Sequence, residues 1–173
     1  LENRLLQLQM FLNCGLAKQT EVKLELLKKT DFKDDRVLLV EAGLTHLNGK
    51  PAQALELLNQ YIVKYPNNSN ALQLRAQVNR ILGDLNLVIA DLQKCMQLSP
   101  SPKTQYLLAQ TQAQLGNKTI AIGILKEALK DGRAPVQARN LLESLYLEGN
   151  RNNDLHRFYD ETMKKYPDNA YWK

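Results

Sequence analysis

The chain has 173 residues, with 23 Lys+Arg against 18 Asp+Glu, and is 44% apolar but only 6% aromatic. That composition supplies a core and excludes a disordered chain, and no run approaches the roughly 18 apolar residues a membrane-spanning helix needs. The net charge of +5 is too mild to mark a nucleic-acid binder, and two cysteines, Cys14 and Cys95, make neither a disulfide framework nor a metal quartet.

Taken in chain order, the pattern is a helix, a glycine, and another helix, repeated. The opening from Leu1 already reads as helix, without Met or a leader, and is expected to be the start of a piece excised from a longer array. Gly15, Gly49, Gly83, Gly116 and Gly149 follow at a near-constant period of about 34 residues. After each inner glycine the apolar residues fall at i, i+1, i+4, i+7 and i+8, as in Ala54, Leu55, Leu58, Tyr61 and Ile62. This is the stripe of an amphipathic helix with one buried face. The same spacing returns in Val88, Ile89, Leu92, Cys95 and Met96, and in Ala121, Ile122, Leu125, Ala128 and Leu129.

Pro51, Pro102 and Pro135 sit where a first helical turn tolerates proline, and Ser101 is placed to cap a helix. The glycines suit left-handed turns at helix ends. Pro66 follows Gly49 at the same distance as Pro100 follows Gly83, and Tyr65-Pro66-Asn67-Asn68 returns as Tyr166-Pro167-Asp168-Asn169.

This arrangement resembles the tetratricopeptide repeat (TPR). With the turn glycine numbered as position 15 of each unit, the family expects small residues at 8, 20 and 27 and proline at 32. Ala42, Ala54 and Pro66 match in the second unit, Ala76 and Pro100 in the third, and Ala109, Ala121 and Ala128 in the fourth. The fifth unit has Leu142 at the small position and one extra residue before Pro167. The resemblance implies an all-α solenoid of about five stacked helical hairpins, part of a right-handed superhelix and of a longer array. The expected units are 1–34, 35–68, 69–101, 102–134 and 135–169, with 170–173 opening another. Divergent Gly-Asn and Gly-Asp turns and the Leu145–Gly149 segment are also similar to bacterial TPR proteins, including envelope-associated lipoproteins. The bacterial envelope or periplasm and the cytoplasm are both compatible with the sequence.

Chemistry is sparse. His46 and His156 are the only histidines, no Cys/His/carboxylate group has metal-ligand spacing, and no glycine loop would cradle phosphate. His156 is expected to pack beside the core, and Cys95 to be a buried, inert thiol. No enzyme activity, cofactor or metal is expected.

Family resemblance instead implies a protein or peptide partner held in a groove lined by positions 2, 5, 9, 12 and 13 of the first helices. Those expected to carry it are Arg36, Leu39, Gly43 and His46, then Gln73, Gln77 and Arg80, then Lys103, Tyr106 and Gln110, and Arg139 and Tyr146. Amides can pair with an extended main chain, and Tyr and Arg are enriched among binding hot spots. Gly43 is read in two ways, as easing helix packing or as a notch in the groove floor whose filling in Gly43→Leu would cost a partner. The Lys and Asn clamp of chaperone-binding TPR proteins is missing, since positions 5 and 9 read Leu5 and Gln9, or Leu39 and Gly43. Alternative readings are a spacer or self-assembly element associating through exposed array ends. Nucleic-acid binding through Tyr, Arg and Lys is a weaker alternative still.

Overall fold

The computed structural model describes residues 2–30, 34–130 and 132–167. Ten helices and no strand are found among them: α1 Glu2–Asn13, α2 Ala17–Lys28, α3 Arg36–Leu47, α4 Pro51–Lys64, α5 Ser69–Leu82, α6 Leu85–Leu98, α7 Pro102–Gln114, α8 Lys118–Leu129, α9 Val136–Glu148 and α10 Asn152–Lys165. The expected opening of a further unit at 170–173 lies outside the described residues. Among the described residues no helix is long and apolar enough to cross a membrane.

Local signals account for the helix ends. Asn68 Oδ1 accepts from the Ala71 N–H at 3.0 Å and Ser101 Oγ from the Thr104 N–H at 3.1 Å, each satisfying a donor the first turn leaves orphaned. Pro51 and Pro102 occupy first-turn positions of α4 and α7, whereas Pro135 stands one residue earlier than expected, as the residue preceding α9.

The turns between paired helices close by a double backbone clasp. At Gly49 the N–H donates to His46 O and the Lys50 N–H to Thr45 O. Gly15, Gly83 and Gly116 repeat the same two bonds. All four glycines have positive φ, between 69° and 86°, a region that a Cβ disfavours.

The fifth turn is shifted. Gly149 has φ of −89°, and the left-handed residue is Asn150, with φ of 52°. Asn150 N–H donates to Leu147 O and Arg151 N–H to Tyr146 O, the same clasp moved one residue along. The turn residues are therefore 15, 49, 83, 116 and 150, and Asn150 stands as far before Pro167 as Gly49 does before Pro66. The extra residue expected before Pro167 thus sits ahead of the turn. Asparagine tolerates this conformation better than other non-glycine residues.

The chain divides into two compact units, Leu1–Asp91 and Leu92–Lys173, with the boundary inside α6. In the first, α1 pairs with α2 and α3 with α4, and α1, α3 and α5 lie side by side. Its first hairpin shares a core of Leu5, Leu8, Leu24, Leu27, Val40 and Leu44. In the second, α7 pairs with α8 and α9 with α10, and α7 and α9 are neighbours. Its core joins Ala109, Ala121, Leu125 and Leu129 to Leu142, Leu145, Tyr146 and Phe158. A lone hairpin buries one face only, and sharing a core between hairpins is what makes each unit stable.

Candidate partner-binding site

The surface a partner would meet is set by which residues the first helices leave uncovered. In the Leu1–Asp91 unit, Arg36, Gln77 and Arg80 are exposed, and Gln73 and His46 are half-buried. Arg36 is already engaged, its Nε and Nη2 donating to the Asp34 carboxylate at 2.6–3.0 Å, which holds that carboxyl below its ordinary range. Burial pushes the His46 imidazole below its usual value.

Two expected members of this surface are buried. Leu39 retains 6% of its exposure. Gly43 is covered, and a Cβ there would lie 3.0 Å from Leu12 Cδ1. The notch is filled from within by α1, so Gly43 serves close packing of α1 on α3 and offers a partner nothing. Gly43→Leu, expected from the sequence to fold and lose a partner, is instead expected to lower stability by about 1–3 kcal/mol, because the added methyls must push Leu12 aside. A chemical-denaturation midpoint equal to wild type would contradict this.

In the Leu92–Lys173 unit, Lys103 is exposed and Tyr106, Gln110 and Arg139 are half-buried. Gln110 Nε2 donates to Tyr106 Oη at 3.3 Å, and the Tyr106 ring packs against the core. Tyr146 is no anchor: only 2% of it is exposed, and the Arg151 guanidinium lies 5.3 Å from its ring centroid.

The shifted fifth turn explains the burial of Tyr146. Counting from Asn150, Leu142 and Tyr146 fall at positions 7 and 11, where the tetratricopeptide pattern itself places Leu and Tyr. The outward positions 2, 5, 9 and 12 become Gln137, Asn140, Ser144 and Leu147, all exposed. Leu155 takes inward position 20 and packs on the core, leaving His156 exposed rather than beside the core as expected. The sequence carried two signals for this, the Leu142-x-x-x-Tyr146 pattern and the match of the Asn150-to-Pro167 spacing to that of Gly49 and Pro66. Glycine at 149 masks both, because glycine is the usual occupant of a left-handed turn.

The face of α7 and α9 therefore presents Lys103, Tyr106, Gln110, Gln114, Gln137, Asn140 and Ser144. Toward its end Ser144 Oγ and Lys118 Nζ both donate to the Glu148 carboxylate, at 3.1 and 2.7 Å, and hold it below its ordinary range. The surface is rich in amides and hydroxyls and, among the described residues, has no nucleophile–base pair.

Where successive hairpins meet on the opposite, second-helix side, a side chain bridges most seams. Lys28 of α2 pairs with Glu41 of α3. Arg75 of α5 reaches both neighbours, donating to Asn59 Oδ1 on α4 at 2.9 Å and to both Asp91 oxygens on α6 at 2.9 and 2.6 Å. That carboxylate holds the guanidinium above its ordinary value. Lys126 of α8 lies 5.4 Å from the Phe158 ring centroid of α10.

Cys95 is buried and Cys14 exposed, and neither is in a disulfide among the described residues. Among the described residues no group of three His, Cys, Asp or Glu side chains could hold a metal ion.

These hairpins define an all-α helical-hairpin repeat fold of the kind found in tetratricopeptide repeat proteins. Residues 38–68 match the family model of the tetratricopeptide repeat. No curated protein matches the sequence. Among solved structures the chain is similar to MamA from AMB-1, with a TM-score of 0.73 and 16% identity over 97% of this chain and 92% of that one. MamA from MSR-1 gives 0.69 and 18%, covering 91% of each. A thermophilic TPR protein of Thermus thermophilus, TTC0263, gives 0.64 and 19%, covering 99% of this chain and 94% of its own. At such identities the likeness is one of fold. That fold supports a protein-interaction scaffold in general.

Proposed function

We propose that the chain is a non-catalytic interaction module that holds an extended segment of a partner protein on the first-helix face of α7 and α9. The observation that carries this is the repetition of amides and hydroxyls along that face: Gln110, Gln114, Gln137, Asn140 and Ser144, with the half-buried Tyr106 ring between them. Gln114, Gln137 and Asn140 each offer a donor and an acceptor, the pairing an extended main chain needs, while Gln110 is bonded to Tyr106, whose ring supplies contact area at low entropy cost. Lys103 at the margin favours a segment with a carboxylate at one end. The Leu1–Asp91 unit offers Gln73, Gln77 and Arg80 in a comparable arrangement on α5.

The test is affinity capture with wild type and with the double variant Tyr106→Ala/Asn140→Ala, after thermal melts show that both fold. The variant is expected to lose most of a specific partner. Capture of the same proteins in equal amount by both would contradict the reading.

A further inference from the structure

Apart from the bridged seams described above, the seam of α6, α7 and α8 stands open. At the positions held by Asn59, Arg75 and Asp91 one seam earlier it carries Gln93, Leu108 and Ile124, counting from the turn glycines. The result is a groove of about 610 Å³, lined by Gln93, Met96, Gln97, Gln105, Leu108, Gly123, Ile124 and Glu127. That is the size range of ligand sites in proteins.

Gly123 widens it. This residue lies inside α8, where glycine is the poorest ordinary helix former. Neither of the usual structural reasons for glycine applies: its φ is not positive, and a Cβ would meet nothing within 4 Å. The space in front of it is the groove itself.

We propose that this groove is a second binding site, on the face away from α7 and α9's outward side chains, for an extended, uncharged peptide segment of a partner protein that inserts apolar side chains. The floor is apolar and adaptable, made by Met96, Leu108 and Ile124. The one charged lining side chain, Glu127, is compensated by Lys130. Polar and charge complementarity therefore select a neutral occupant. Gln93, Gln97 and Gln105 surround the floor with primary amides that make no hydrogen bond among the described residues. An extended main chain needs such donors and acceptors, whereas a docked helix has already satisfied its own.

The probe is an acetylated, amidated heptapeptide alternating serine and leucine, titrated against the full chain while the methyl NMR signals of Met96, Leu108 and Ile124 are followed. Shifts of these three methyls are expected, with affinity weakened at least about tenfold in Gly123→Leu. That variant fills the groove with a better helix former and is expected to remain folded. Gln97→Ala/Gln105→Ala, which leaves the floor intact, is expected to weaken binding as well, as is backbone N-methylation of the peptide. Unmoved methyls up to roughly 1 mM peptide would overturn the proposal. So would equal binding by Gly123→Leu, or tighter binding of an amphipathic helical peptide of the same length. Tyr106→Ala/Asn140→Ala leaves this groove untouched, so its failure to lose a partner bears only on the face of α7 and α9.

Discussion

Asp91→Ala is expected to lower the stability of the Leu1–Asp91 unit by about 3 kcal/mol, the lower end of what breaking a buried ion pair costs. The Asp91 side chain keeps 5% of its exposure and that of Arg75 24%, so the guanidinium left behind would be partly hydrated and partly stranded. The loss arises from that stranded charge more than from the missing attraction. The chain itself supplies the control. One seam later, the equivalent positions hold Leu108 and Ile124, so Arg75→Leu/Asp91→Ile copies a packing the fold already tolerates. The double variant is expected to recover most of the stability, since replacing a buried ion pair by apolar groups of similar volume is often neutral or better. Urea melts of wild type, the single variant and the double variant give the comparison. A double variant as unstable as Asp91→Ala would show that the pair does more than fill and neutralise the seam.

The second large effect is at Tyr146. Tyr146→Ala is expected to cost about 3–5 kcal/mol, as for other buried aromatic truncations. Leu147→Ala, one residue on, is expected to change stability by no more than about 0.5 kcal/mol. The contrast follows from exposures of 2% and 58% in neighbouring residues of one helix. Were the fifth turn centred on Gly149, Tyr146 would face outward at position 12 and its truncation would be nearly silent. Thermal denaturation of the two variants distinguishes the arrangements.

Much of the fold was legible because the signals were local and repeated. Glycines at a near-constant period, apolar stripes such as Ala54 to Ile62, and caps at Asn68 and Ser101 each report a short-range physical need. None depends on distant parts of the chain. What escaped were facts that depend on a neighbouring helix. Gly43 opens a space, but only the approach of α1 decides that Leu12 fills it. Leu39 sits at an outward position of its own helix and is nevertheless covered. Tyr146 was misplaced by one residue, a rotation of about 100° around a helix of 3.6 residues per turn. An outward face was thereby exchanged for an inward one. Asn150 shows the cause: a left-handed turn is a backbone conformation, and glycine is its commonest occupant without being its marker. The open seam at Gly123 was invisible for a similar reason. Glycine inside an amphipathic helix signals either close contact or space, and three-dimensional neighbours tell the two apart.

The candidate surface was legible as a type and not as a set. Amides, tyrosines and cations were expected on the first helices, and Lys103, Tyr106 and Gln110 do lie along α7. Gln137, Asn140 and Ser144 face outward because the fifth turn lies at Asn150. They make α9 a more polar face than the sequence register suggested, replacing Arg139 and Tyr146 with two amides and a hydroxyl.

The outward face of α9 is defined by the turn at Asn150, and thiol labelling reads it directly. In a Cys14→Ser background, where Cys95 is buried, single variants Asn140→Cys, Ser144→Cys and Leu145→Cys are treated with a thiol reagent under native conditions. Asn140→Cys and Ser144→Cys are expected to label at the rate of an exposed thiol, and Leu145→Cys at least about a hundredfold more slowly, because it must wait for local opening. Slow labelling of Ser144→Cys with rapid labelling of Leu145→Cys would contradict the turn at Asn150, and with it the amide face assigned to partner binding.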